Sequence, residues 1–402
     1  MKTRNRLLIF LALVLCCVFL IAASCGKPAL CEVCNENPCS CVDPELCEAC
    51  GADPCTCFDP VLCKVCKAAP CTCVAYITIK GVRYSTALTE LDLNGQDLRD
   101  EDILPLRHMT NLTDLRLHNN QISDLAPLNG LTNLTILLLR DNQISDLTPL
   151  NRLTNLTELQ LHNNQISKLA PLAGLTKLTN LLLYNNQISD LTPLSGLTNL
   201  TSLHLHNNQI SDLTPLAGLT KLTNLLLYNN QISDLTPLSG LTNLTLLWLH
   251  NNQISDLSPL AGLTRLGNLQ LQANQISDLT PLNRLTRLTI LFLWNNQINN
   301  LTGLNGLTNL EFLELNNNQI SGLAPLNGLT KLAILELNNN QISDLAGLEG
   351  LTKLMILELN DNQISDLAPL SGLTILGRLH LENNPITDWS PVAHVKNVYG
   401  RP

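Results

Sequence analysis

Twelve cysteines between residues 31 and 73 are the side chains of this sequence best spaced to do chemistry. They form three modules: Cys31, Cys34, Cys39 and Cys41, then Cys47, Cys50, Cys55 and Cys57, then Cys63, Cys66, Cys71 and Cys73. Each module is spaced C-x2-C-x4-C-x-C, with Pro38, Pro54 or Pro70 immediately before the third cysteine, and the modules recur every 16 residues. Turn-rich units this short bury too little apolar surface to fold unaided. Thiol chemistry must therefore hold them, and two chemistries fit. Four thiolates supply the tetrahedral set that Zn²⁺ prefers, and C-x2-C is a common zinc knuckle. An even number of thiols in an oxidising exterior gives two disulfides per module instead. With either, residues 25–75 form a cysteine-rich segment that could also act as a semi-rigid spacer.

The N-terminus indicates that exterior. Lys2, Arg4 and Arg6 precede an unbroken apolar run from Leu7 to Ala23. That order is a signal peptide over residues 1–24. Ala22, Ala23 and Ser24 then lead into Cys25, which resembles the lipobox of bacterial lipoproteins and implies a lipid on Cys25. A plain secretory signal, or an uncleaved membrane anchor given an apolar run near bilayer-spanning length, is the alternative. Removing residues 1–24 takes away three positive charges and no acid, so a formal net charge of −9 becomes −12. An acidic chain is a poor partner for nucleic acid, whose phosphates need basic patches. No later apolar run is long enough to span a bilayer, so membrane attachment is expected through the lipid alone.

The rest of the chain has no cysteine and almost no rings. Aromatic residues make up 3% of the sequence against 45% hydrophobic residues in all, so leucine must do the packing. From Leu112 the sequence recurs every 22 residues, after an irregular unit from Leu88, giving about fourteen units over residues 88–387. Leu156-Thr-Glu-Leu159-Gln-Leu161-His-Asn-Asn164 shows the spacing L-x-x-L-x-L-x-x-N of leucine-rich repeats. In Leu-x-Leu the leucines face one way and the intervening residue the other, as in a short strand. No unit folds alone; stacking builds one core and one parallel sheet. The asparagine in the ninth position, as Asn120, Asn208 or Asn340, is placed to satisfy backbone groups where the chain turns. The return segment Ile-Ser-Asp-Leu-x-Pro-Leu has room only for a 3₁₀ or short helical turn started by proline. Its aspartate, as Asp146, Asp190 and Asp234, is a turn or cap residue rather than a metal ladder, because Lys168, Asn300 and Gly322 replace it without disturbing the pattern. The expected fold is an α/β solenoid, a leucine-rich-repeat horseshoe with a parallel concave sheet and short convex 3₁₀ or helical turns. Residues 76–87 and 388–402 are expected to cap its ends.

The 22-residue unit with Asn-Gln-Ile-Ser-Asp-Leu-x-Pro-Leu resembles that of the bacterial internalins. The resemblance implies a solenoid whose concave strands grip a partner protein, often through aromatic side chains.

The strand pattern shows which residues would face a partner. Tyr184, Tyr228, Trp248, Phe292, Trp294 and Phe312 are the only aromatics between Leu112 and Asp388, and all fall at outward positions. Tyrosine and tryptophan are favoured at binding hot spots. His162, His204, His206 and His250 share the face; His162, His206 and His250 fall on alternate strands, about 9 to 10 Å apart, too far to share a metal ion. They are expected to form a polar rim that charges below about pH 6.5, making binding pH-dependent between about 5 and 7. Glu314, followed by Glu336 and Glu358, forms an acidic row suited to a basic segment of the partner. No nucleophile motif, phosphate loop or paired acid stands out. The function expected is non-enzymatic recognition of an extracellular protein or glycan by a monomer, lipid-anchored on the outer face of a bacterial membrane. The alternative is a structural or zinc-binding envelope lipoprotein. Native mass spectrometry of residues 25–75 made with zinc present separates the thiol chemistries: bound metal means zinc sites, while loss of about four mass units per module without metal means disulfides.

Overall fold

The computed structural model describes residues 76–401. The expected leader, Cys25 and the three cysteine modules lie outside the described residues. The chain divides after residue 88 into two compact units.

In the first unit, β1 (Tyr76–Ile79) pairs antiparallel with β2 (Val82–Ser85). Lys80 and Gly81 make the two-residue turn, both with positive φ, as the tightest hairpins require. Ile77 and Ile79 alternate with exposed neighbours and are buried.

The second unit is a leucine-rich-repeat solenoid. Fifteen three-residue strands, from β3 (Glu90–Asp92) to β17 (Asn397–Tyr399), form one sheet in strict chain order, and their pairing is parallel. Successive strands are offset by 22 residues, as Leu203 opposite Leu225. The first offset is 24 residues and the last is 19. The final strand therefore lies within residues 388–402, which were expected to cap the repeats: the sheet continues into that segment. Each strand from β3 to β16 buries its central leucine, and the leucine two places on is buried as well. In one unit Leu200, Leu203, Leu205, Ile210, Leu213, Leu216 and Leu219 are all at most 1% exposed. No aromatic ring is needed to fill this core.

The ninth-position asparagines stitch the units together. Asn208 Nδ2 donates to the carbonyls of Leu205 and His206 in its own unit (3.0 and 3.3 Å) and of Leu183 in the unit before (3.1 Å). Its Oδ1 accepts the Ile188 N–H of that preceding unit at 2.9 Å. The pattern recurs from Asn120 to Asn384. The residue before each asparagine has positive φ, as Asn207 at 56°, which turns the chain off the sheet. Asparagine and aspartate tolerate that conformation better than other side chains.

On the return side Leu-x-Pro-Leu forms a single 3₁₀ turn, as Thr192–Leu194, closed by the Leu194 N–H to the Leu191 carbonyl. Asp190 Oδ1 accepts the Thr192 N–H at 2.8 Å, and Asp146 and Asp234 do the same one turn-start at a time. Asn300 replaces the aspartate in that role. The first repeat has room for more: a helical turn, α1 (Asp100–Ile103), runs into a 3₁₀ stretch. Gly303 stands where most units carry proline, and a Cβ there would lie 1.7 Å from the Leu279 carbonyl oxygen. Only glycine lets these two turns nest so closely.

Replacing Asn208 by alanine orphans one buried N–H and withdraws donors from three carbonyls. Urea unfolding should show a loss of about 2 kcal/mol or more.

Candidate functional site

The outward positions of the sheet assemble a column of rings. Tyr184 lies between His162 and His206, with centroids 4.1 and 4.2 Å apart, and Tyr228 lies between His206 and His250 at 4.1 and 4.2 Å. The planes are within 11 to 15° of parallel. The cause is local. These residues directly follow the second leucine of five successive units, so strand spacing of about 4.8 Å sets their separation. A slight lean closes them into van der Waals contact. The column thus spends its ring faces on itself, and its edges remain to meet a partner.

Stacking buries the imidazoles. His162 and His206 are 4% and 6% exposed. Nδ1 of His118, His162, His206 and His250 is buried without a hydrogen-bond partner. An unpaired acceptor is better tolerated inside a protein than an unpaired N–H. The proton therefore belongs on Nε2, at the opposite edge of each ring. Burial pushes His162, His206 and His250 down to about 4. It also lowers His204, whose Nε2 lies 3.3 Å from Ser202 Oγ. The expected rim that charges between pH 5 and 7 is thereby corrected: three of its histidines stay neutral through that range.

The other candidate aromatics adjoin the column without extending it. Trp248 leans toward Tyr228 at 6.2 Å, and its Nε1 donates to Asn268 Oδ1 at 3.2 Å. Phe292, Trp294 and Phe312 share the face, but among the described residues no ring pair joins them to the stack. All six aromatics are half-buried by their neighbours rather than fully exposed. A separate pair, His380 and Tyr399, stacks at 4.3 Å on the last two strands.

Beyond the rings lies the acidic row. Glu314, Glu336 and Glu358 end β13 (Phe312–Glu314), β14 (Ile334–Glu336) and β15 (Ile356–Glu358), and face one another in register. Asn316 Nδ2 donates to Glu336 Oε2 at 2.7 Å, and Asn338 Nδ2 to Glu358 Oε2 at 2.8 Å. The corresponding place before Glu314 holds Trp294, which has no carboxamide to give. Burial, then the charges of Glu336 and Glu358, push Glu314 up to about 7. Spacing alone missed this difference within the row, although the change from Trp294 to Asn316 and Asn338 along one column was its visible signal. Gln272 was missed as well: it is 6% exposed and its Oε1 is buried without a partner.

Among the described residues no group of three or more His, Cys, Asp or Glu side chains is placed to hold a metal ion. None of their helices is long and apolar enough to cross a membrane.

Comparison with known proteins agrees with this architecture. The family model for leucine-rich repeats in two copies matches residues 132–174, 176–218, 220–262 and 308–350. The crystal structure of internalin InlF from Listeria monocytogenes is 37% identical, with a TM-score of 0.67, covering 80% of this chain and 90% of that one. The functional domain of InlJ from the same organism, which includes a cysteine ladder, is 25% identical with a TM-score of 0.65, covering 78% of this chain and 72% of that one. The Arabidopsis receptor kinase HAESA, solved in complex with a peptide hormone and a co-receptor, is 25% identical with a TM-score of 0.64, covering 75% of this chain and 55% of that one. A search of curated proteins finds no match. The fold and its repeat define a leucine-rich-repeat protein of the bacterial type. Within that class, the chain belongs to the internalin family.

The depressed histidines fix the sign of an acid response. The ordinary value is 6.5 and the folded value about 4, so the unfolded chain takes up protons first as pH falls. Their contribution to stability is complete above 6.5 and declines as pH drops toward 4. Thermal unfolding across that window should show the decline, and His206→Phe, which keeps a ring but loses the titration, should reduce it.

Proposed function

We propose that this chain is a non-enzymatic extracellular binding protein that recognises a protein partner on the open face of its sheet. The observation that carries this reading is the ring column with its continuation through Trp248, Phe292, Trp294 and Phe312. In a chain so poor in aromatics, every ring between Leu112 and Asp388 is on the one face that the core does not use. Half-buried aromatics held rigidly by their neighbours give a partner large contact area with little side-chain entropy left to lose. The column also favours protein over glycan. A sugar stacks on a ring face, and the faces of Tyr184, His206 and Tyr228 are closed on both sides. Their outward edges, hydroxyl and imidazole N–H, suit the carbonyls and side chains of a polypeptide. The peptide-bound plant receptor of similar fold supports the same preference.

The rest of the chain fits a surface role. Cys25 is the proposed lipid attachment at the outer face of a bacterial membrane, the cysteine modules are proposed to hold zinc or disulfides, and the chain is proposed to act as a monomer.

Alanine at Tyr228, Trp248, Phe292 and Trp294 together tests the reading. These positions lie outside the leucine core, so circular dichroism should be unchanged. Capture of the protein partner from a surface-protein array should weaken by about a hundredfold or more, since hot-spot aromatics contribute about 2 kcal/mol or more each. Undiminished capture, or a switch of the wild-type signal to glycans, would sink it.

A further inference from the structure

Gln272 takes the place after His250 in the ring column and ends the stack. Its backbone lies between theirs, with the Asn251 N–H on the Gln272 carbonyl and the Ala273 N–H on the Trp294 carbonyl. Its side chain is more than nine-tenths buried, yet Oε1 accepts no hydrogen bond. Native proteins leave few such atoms unanswered. In the adjoining column, cross-strand register sets Trp248, Gln270, Phe292 and Glu314 side by side. The free acceptor thus follows directly on the strand Asn268–Gln270 that lies between Trp248 and Phe292 in register, with the carboxyl group of Glu314 one strand further on and two more carboxylates beyond it.

We propose that this patch seats a lysine or arginine side chain of an extended segment of the protein partner, with the segment's next basic residues running over Glu336 and Glu358. The inference rests on the recognition reading above and names the chemistry of the partner. Each element of the patch suits a cation. Tryptophan and phenylalanine attract ammonium or guanidinium groups, arginine above all because its plane also stacks. Glu314 supplies the opposite charge, and a turn of the Gln272 carboxamide would bring its unpartnered Oε1 to an N–H of the cation. Charge complementarity extends along the row, because Glu336 and Glu358 are met by neutral amides, and among the described residues no ion pair neutralises any of the three. An acidic or neutral partner segment would leave the repulsion within the row unrelieved.

The proposal carries a proton signature. Glu336 and Glu358 are the titratable groups beside Glu314, while Phe292, Gln270 and Asn316 do not titrate in this range. In the free chain the Glu314 carboxyl is pushed up to about 7. A cation beside it favours the carboxylate, so seating the cation expels a proton and binding strengthens as pH rises. The histidine rim expected from sequence would have worked in the same window by adding positive charge at low pH.

The test uses the full chain and an acetylated, amidated hexapeptide of alternating arginine and glycine, with the neutral citrulline peptide as control. Calorimetry and tryptophan fluorescence should show binding of the arginine peptide alone, tightening about tenfold from about pH 6 to about pH 8. Glu314→Gln should abolish that pH dependence, and Glu336→Gln should weaken binding without removing it. No binding by the arginine peptide, equal binding by the citrulline peptide, or an unchanged pH slope in Glu314→Gln would overturn the proposal. A chain that ignores the peptide but still captures its protein partner would overturn the cation site and leave the recognition face intact.

Discussion

One carboxamide per unit holds this solenoid in register. The leucine core is permissive, since identical leucines on neighbouring units would pack nearly as well with a strand shifted by two residues. The asparagine is not permissive. Its amide must reach three carbonyls in two units while its oxygen takes an N–H of the preceding unit, as at Asn208. Few geometries satisfy all four. Each strand is therefore locked to its neighbour at one offset, and every outward position falls into a straight column. The rings can stack only because of that lock. A slip of one residue would turn each ring toward the core and each leucine toward water.

The face built on this scaffold divides along the sheet. Toward the N-terminal side, rings are packed against rings, and the stacked histidines His162, His206 and His250 take up protons only near pH 4. Toward the C-terminal side, carboxylates are packed against carboxylates, and two of the three are relieved by asparagine amides. Trp294 and Gln272 occupy the boundary. The tryptophan removes an amide that Glu314 would otherwise receive, and the glutamine interrupts the stack with an unmatched oxygen. Two single-residue departures from the column pattern thus fall close together, at the junction of the ring stack and the acidic row.

Much of this was legible from spacing. The period, the inward leucines, the capping aspartates and the structural asparagines all follow from alternation and turn chemistry, and the outward columns follow once the strands are known. The mutual burial of the rings was not legible. Sequence places Tyr184 and His206 on adjacent strands, but whether they lie flat on the sheet or stand against each other depends on rotamers that only packing selects. The histidine protonation inferred from an exposed rim failed for that reason. Gly303 was likewise hidden, because its requirement comes from a carbonyl one unit away rather than from its own neighbours. The terminal strand at Asn397–Tyr399 escaped the repeat count because its 19-residue offset breaks the period.

The ring column alternates histidine with tyrosine, so its true period is two units rather than one. Residues 176–201 recur unchanged as 220–245, a copy displaced by 44 residues. Within the stack, loss of a single inner unit would bring two histidines or two tyrosines together. Only changes by an even number of units preserve the alternation. The 44-residue copy is thus the smallest step that repeats the stack with every ring kept between unlike neighbours.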